Sequence, residues 1–376
     1  MTIAAIALFA IVAGTGAFAA VRIGPLGLRS TLLNPKTNST PTAHASPLPT
    51  AQASPTPFGP SPRAAAALAF DEATGTLILF GGGRSAGHGS TELLDDTWMW
   101  DGTTWSQVPK SSPNPEARIS AEMVYDPERR VIVLHGGYGD RGFINDTWTW
   151  DSTGWRQMSP SQSPPFSALD NSGYQPMTWD STDKIVLLFT TTGWLPSPEY
   201  EINQTWAWDG ANWTQLPTAW APSGHGAYPG AIAYDSARKS AVLFGHFADY
   251  TPATWTFDGK SWSVPGAPPS AASSARTNGS GSSSLLFAMV GDPARSNVLL
   301  FGQAGDSWTW DGTTWTAKHP AHSPSPRQWP TMTYDPVHQQ IVLFGGETGT
   351  NLPRVGLGTD LNEIWTWNGV DWTQVS

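Results

Sequence analysis

From Arg63 onward, short apolar runs alternate with polar turns, and the runs come in sets that recur six times. The first run of each set ends near an Asp: Phe70-Asp71, Tyr125-Asp126, Trp179-Asp180, Tyr234-Asp235, Val290-Gly291-Asp292 and Tyr334-Asp335. The second covers Leu77 to Phe80, Val131 to His135, Ile185 to Phe189, Ala241 to Phe244, Val298 to Phe301 and Ile341 to Phe344. After a variable loop, the third carries aromatics at alternate positions: Trp98 and Trp100, Trp148 and Trp150, Trp206 and Trp208, Trp255 and Phe257, Trp308 and Trp310, Trp365 and Trp367. A turn such as Asp101-Gly102 or Asp311-Gly312 leads to a fourth run, opened by Trp105, Trp155, Trp213, Trp262, Trp315 or Trp372.

A period of two puts both third-run aromatics on one face of a sheet, and Asp-Gly between two runs signals a hairpin. Each set therefore predicts four short strands, and no helix-length pattern interrupts them. Units of this size cannot bury their faces alone, so they stack radially. The expectation is an all-β fold, a six-bladed β-propeller over 63–376, with blades at about 63–108, 118–158, 172–216, 225–265, 283–318 and 327–376. The string from Val342 to Gly346, like the Asp96-to-Trp105 stretch, resembles kelch repeats, whose mark is a Gly pair closing the second strand followed by spaced aromatics. The resemblance spans 63–376 and implies the same propeller fold. Gly pairs stand at Gly81-Gly82, Gly136-Gly137 and Gly345-Gly346, whereas Thr190-Thr191, Gly245-His246 and Gly302-Gln303 replace them in the other copies.

The segment before the repeats has a different character. Residues 1–22 carry no charge before Arg22 and are rich in Ala, Ile, Phe and Val, which suits a signal peptide or a membrane anchor. Residues 23–62 are rich in Pro, Ser, Thr and Ala and predict a disordered spacer. Together they imply an extracytoplasmic location, secreted or tethered through the N-terminus, with no other contact with a membrane.

Composition then narrows the chemistry. The 376-residue chain has no Cys, so thiolate metal sites and Cys nucleophiles are excluded. Among kelch proteins, galactose oxidase needs a cysteine-linked cofactor, and that activity is excluded with them. A net charge of −10 argues against a nucleic-acid partner. Gly83-Arg84-Ser85-Ala86-Gly87 spells a nucleophile elbow but lacks the strand-turn-helix it needs. Gly137-Tyr138-Gly139-Asp140-Arg141-Gly142 spells a dinucleotide loop but opens no helix. The His residues show no metal-ligand spacing, and no catalytic residue, metal or cofactor is assigned.

Of the 21 Trp, 17 occupy repeated positions and read as packing between blades; Trp98, Trp148, Trp206, Trp255, Trp308 and Trp365 are structural. Arg63, Arg118 and Arg327 open the first strand in copies with an acid before the third, which predicts Arg–carboxylate braces with Asp96, Asp146 and Glu363; Asp306 holds the same position in the fifth copy. The loops between second and third strands hold 12 acids against three bases. They mark a ligand face, with candidates Trp194, Trp220, Trp329, Glu199, Glu201, Arg141, Arg354 and Asp360. The functional expectation is a monomeric, non-catalytic binding or scaffold propeller that takes a polysaccharide or a protein on that face. The alternative is a carbohydrate-acting enzyme similar to kelch-type sialic acid mutarotases, with acid and base drawn from the same candidates. A third reading places Ca²⁺ on the acidic face.

Overall fold

The structure, a computed structural model, describes residues 59–87, 90–166, 174–192, 202–217, 228–246, 251–265, 287–349, 355 and 357–375. Residues 1–22 and most of the spacer lie outside them. Six antiparallel four-stranded sheets form the six blades of a β-propeller. Blade 1 consists of Ala67–Asp71, Thr76–Phe80, Thr97–Trp100 and Trp105–Val108, from the axis outward. The first strands of blades 2 to 6 are Glu122–Asp126, Met177–Asp180, Tyr228–Asp235, Ala288–Asp292 and Thr331–Asp335. These inner strands neighbour one another around the ring, and that of blade 6 lies beside that of blade 1. Every blade is continuous in sequence, so the ring closes by packing and not by exchange of a terminal strand.

The turns follow from the Asp residues that end the inner strands. Asp126 accepts the amides of Glu128 and Arg129, and Asp180 those of Thr182 and Asp183. Asp235 and Asp335 do the same in blades 4 and 6. This Asx geometry lets the chain reverse at once into the second strand. On the same side of the ring, the Asp-Gly turns between third and fourth strands are built alike. The amides and hydroxyls of Thr104 and Thr103 bind the Asp101 carboxylate and hold its pKa far below the usual range. Glycine after such an Asp meets two demands. Gly210 has φ +97°, and a Cβ there would sit 1.8 Å from Arg129 Nε of the preceding blade. Inner strands approach just as closely at Gly291, where a Cβ would fall 2.4 Å from the Tyr234 carbonyl oxygen. That is why blade 5 departs from the aromatic-Asp pattern.

One aromatic contact recurs at all six blade junctions. The Trp opening the fourth strand packs against the ring that closes the second strand of the preceding blade. The pairs are Trp155–Phe80, Trp213–His135, Trp262–Phe189, Trp315–Phe244, Trp372–Phe301 and Trp105–Phe344, with centroids 5.1 to 5.7 Å apart. Such edge contacts contribute about 1 kcal/mol each beyond the buried area. At five junctions the indole Nε1 also donates to a hydroxyl of the preceding blade: Trp155 to Thr97, Trp213 to Thr147, Trp262 to Thr205, Trp315 to Thr254 and Trp372 to Ser307, at 2.8 to 2.9 Å. The junction between blades 6 and 1 has Ile364 at that position, and a cavity of about 150 Å³ lies there among Trp100, Val342, Ile364 and His338.

Blades 6, 1 and 2 carry a second fastening. Arg63, Arg118 and Arg327 are essentially inaccessible, at 1, 1 and 0% exposure. Arg63 makes a two-pronged contact with Asp96 at 2.6 and 2.9 Å and donates to the Gly81 carbonyl. Arg118 repeats this with Asp146 and Gly136, while Arg327 makes a single bond to Glu363 Oε2 at 2.7 Å and donates to the Gly345 carbonyl. Each carboxylate also accepts an indole N–H two residues on, from Trp98, Trp148 or Trp365. Burial alone would raise these three carboxyl pKa values, but the guanidinium and indole donors outweigh it and leave all three lowered. Asp306 accepts the Trp308 indole at 2.6 Å and forms no ion pair among the described residues, because blade 5 has no Arg at the matching position.

Candidate functional site: the loop face and the central channel

The braces anchor backbone as well as side chains. The Arg63 amide donates to Leu361 O and its carbonyl accepts from Gly346, so the start of blade 1 is sewn to blade 6. The Arg118 amide and carbonyl are bound in the same way by Leu94 and Gly82 of blade 1. One residue further on, Ala64, Ile119 and Gln328 bridge to Gly83, Tyr138 and Glu347. Those three residues begin short hairpins that extend from the second-to-third-strand loops: Gly83–Gly87 with Ser90–Leu93, Tyr138–Gly139 with Gly142–Phe143, and Glu347–Thr348 with Thr359–Asp360. The Gly-x-Ser-x-Gly string and part of the Gly-x-Gly-x-x-Gly string are thus strand residues of these hairpins.

The hairpins of blades 1 and 6 touch. Ser85 N donates to Asp360 Oδ2 at 2.6 Å, and Thr91 Oγ1 donates to the Val355 carbonyl. Burial raises the Asp360 carboxyl pKa, and the Ser85 amide and Arg84 only partly offset it. The hairpin of blade 2 instead presents rings. Phe143 stacks on Phe166 with centroids 4.8 Å apart at 8°, and Tyr138 meets Phe143 edge-on at 5.4 Å. Phe166 is 45% exposed, and Asp140 and Arg141 are exposed at the neighbouring tip.

The other candidates fall elsewhere. Trp329 is no exposed loop aromatic: at 6% exposure it packs with Ala64, Ala65 and Val355 and helps line the central channel. The connection from the Arg327 brace into the inner strand is too short to let it point outward. Trp329 has φ +52°, as its counterparts Ala65 and Ser120 have +52° and +58°. The three share a backbone chain in which Ser120 N donates to Ala65 O and Ala65 N to Trp329 O. Left-handed backbone is costly for a bulky residue and persists only where its surroundings enforce it. Trp194, Trp220, Glu199, Glu201 and Arg354 lie outside the described residues. Arg141 and Asp360 are on the hairpins of blades 2 and 6, and no contact joins them.

The loop face is also less acidic than a loop count implies. Asp96, Asp146 and Glu363 are neutralised by the braces, Glu92 by Arg84 and Asp95 by Lys110. Four of those five bases sit outside these loops, in the segments that lead into blades 1, 2 and 6. Among the described residues, no group of three or more His, Asp or Glu is placed to hold a metal ion.

The central channel has a cavity of about 300 Å³ lined by inner-strand residues from all six blades. Sequence reading passes over it, because no single repeat contains it. Four methionines, Met123, Met177, Met289 and Met332, line it together with Tyr125, Trp179, Tyr234 and Tyr334. Two carboxyls, Glu72 and Glu122, also line it, and no Lys, Arg or His does. Glu122 is half-buried in the channel wall. Burial pushes its pKa up to about 8, only partly offset by a hydrogen bond with Tyr174. Burial and the adjacent Asp71 raise Glu72 as well.

The molecule is a six-bladed propeller whose described residues include raised loop-face hairpins on blades 6, 1 and 2 and an axial cavity bordered by four methionines. Its fold is similar to that of YjhT, with a TM-score of 0.56 and 12% identity over 85% of this chain and 99% of that one. It is also similar to the SapL1 lectin in complex with alpha methyl fucoside, with a TM-score of 0.48 and 12% identity over 84% and 95% of the two chains. At these identities the likeness is one of fold. No protein family and no curated protein matches the chain.

Proposed function

We propose that this propeller is a non-catalytic, exported binding module of kelch type that takes a carbohydrate on its loop face, beside the hairpin of blade 2. The observation that carries the reading is the Tyr138–Phe143–Phe166 ladder. It leaves an exposed ring next to the ionic and hydrogen-bonding groups of Asp140 and Arg141. Aromatic faces suit the apolar side of a sugar ring, and polar neighbours suit its hydroxyls. The hairpin rests on the Arg118 brace, so the ring surface is held before a ligand arrives. The N-terminal apolar segment and the Pro-rich spacer support display outside the cytoplasm.

The test is a glycan array probed with the full chain and with Phe143→Ala, Phe166→Ala and Arg141→Ala. A glycan signal that falls at least tenfold in each variant, with the folded baseline kept, supports the reading. The absence of any glycan signal, or a signal that survives all three substitutions, removes it; a protein ligand on the same face is the outcome that a protein array would then reveal.

A further inference from the structure

The axial cavity is a second site, independent of the loop face. Its described lining combines aromatic rings from blades 2, 3, 4 and 6, methionines from blades 2, 3, 5 and 6, Ser and Thr hydroxyls, and two carboxyls, with no Lys, Arg or His among the described lining residues. An anion would meet two carboxyls and, among the described lining residues, no Lys, Arg or His. Ser120, Thr178, Ser181, Thr331 and Thr333 also line the cavity, so what favours a cation over a neutral polyol is the pair of carboxyls. A cation with an apolar body meets complementary partners throughout. Aromatic faces and polarisable sulfur accommodate the methyl or alkyl groups, and a carboxylate accepts the charge.

We propose that the central channel binds a small organic ammonium compound, its cationic head beside Glu122 and its alkyl groups against Met123, Met177, Met289 and Met332. Tyr174 is a positioning residue that donates to the Glu122 carboxylate. The titratable groups that line the cavity are Glu72, Glu122, Tyr125, Tyr174, Tyr234 and Tyr334; beside them stand Asp71 next to Glu72, Arg130 hydrogen-bonded to Tyr125, and His135 opposite Glu122 in the sheet register. Burial pushes the three tyrosines Tyr125, Tyr234 and Tyr334 upward, so they stay neutral at pH 7, and the carboxyls carry the response to pH. Because Glu122 on its own titrates near pH 8, bringing in a cation ionises it and releases a proton.

Titration calorimetry with the full chain tests this, using choline, its uncharged isostere 3,3-dimethylbutan-1-ol, and acetate. The expected result is one choline per chain, binding about tenfold more tightly at pH 8.5 than at pH 6.5, with proton release seen as a dependence on buffer ionisation heat. The isostere and acetate stay silent. Glu122→Gln lowers choline affinity at least tenfold and flattens the pH dependence, whereas Phe166→Ala leaves binding unchanged and so separates this site from the glycan face. If Glu122→Gln fails to fold, Tyr174→Phe is expected to weaken binding severalfold. No choline binding at any pH, equal binding of the isostere, or full affinity in a folded Glu122→Gln chain overturns the proposal.

Discussion

Blades 6, 1 and 2 and blades 3, 4 and 5 solve the same packing problem with different amounts of equipment. All six share the ring contact between a fourth-strand Trp and the preceding blade. Among the described residues, only blades 6, 1 and 2 add a buried Arg, an opposing acid, a Gly pair and a separate raised hairpin. The Arg positions in the other arc are Ser172, Ala227 and Ser284, and the acids are replaced by Gln204 and Ala253 or left without an Arg at Asp306. The brace is therefore not what makes a blade. Its hydrogen bonds lead to backbone at the loop face, at the base of a short hairpin in each of the three blades. Apolar clamps specify the ring, and charged braces specify the platform on it.

The largest effect should come from breaking a brace. Arg118→Ala leaves Asp146 partly buried without its guanidinium, which should cost about 3 kcal/mol. Gln204→Ala, at the matching acid position of blade 3, removes only the acceptor of the Trp206 indole and should cost about 1 kcal/mol. Urea unfolding of the two variants measures the gap; equal losses would erase the distinction between the arcs.

Acidity sharpens the comparison within blade 2. His135 occupies a site filled by Phe in the other five blades, and burial drops its pKa to about 4, with Asp146 opposing and Arg118 adding to the effect. The unfolded chain takes up that proton near pH 6.5, so His135 removes stability as pH falls from about 6.5 to about 4, at about 1.4 kcal/mol per unit. Glu122 acts in the opposite direction. Its carboxyl ionises near pH 4 when unfolded and near pH 8 when folded, so it removes stability as pH rises across that window. The two slopes offset one another between pH 4.5 and 6.5. His135→Phe should make the protein gain stability on acidification from pH 8 to 4.5, and Glu122→Gln should make it flat above pH 6.5. Chemical denaturation at a series of pH values checks both signs.

Smaller effects belong to the junctions. Thr254→Val removes the hydroxyl that receives the Trp315 indole and should cost about 1 kcal/mol. Ile364→Thr supplies a hydroxyl to the closing junction but deletes buried methyl surface, so its net effect should stay within about 0.5 kcal/mol. Thermal melts of the pair distinguish a latched junction from one held by packing alone.

The frame was legible in the sequence because each of its devices lies within one repeat or at a fixed offset between repeats: alternating Trp, Asp-Gly turns, and an Arg with its acid. The channel was not, since it takes one strand from each of six distant segments. The inward position of Trp329 is hidden in the sequence for a related reason. Its sequence surroundings look like a loop, but the brace at Arg327 and the left-handed turn that follows direct it inward. The charge of the face is not legible from its loops alone, because the segments leading into blades 1, 2 and 6 share it and carry Arg63, Lys110, Arg118 and Arg327. The Tyr138–Phe143 pairing carried a weak signal, two aromatics flanking a Gly-Asp-Arg-Gly turn, which a hairpin search would have found.

Hydrogen exchange on Arg118→Ala tests most directly whether the braces secure backbone between blades. The expected result is faster exchange at the amides of Gly82, Arg118, Ile119 and Tyr138, which cross from blade 1 to blade 2 or lead into its hairpin, while Val186–Phe189 and Val242–Phe244 in the other arc keep their protection. Unchanged exchange at those four amides, or a loss of protection spread evenly over all six blades, would contradict it.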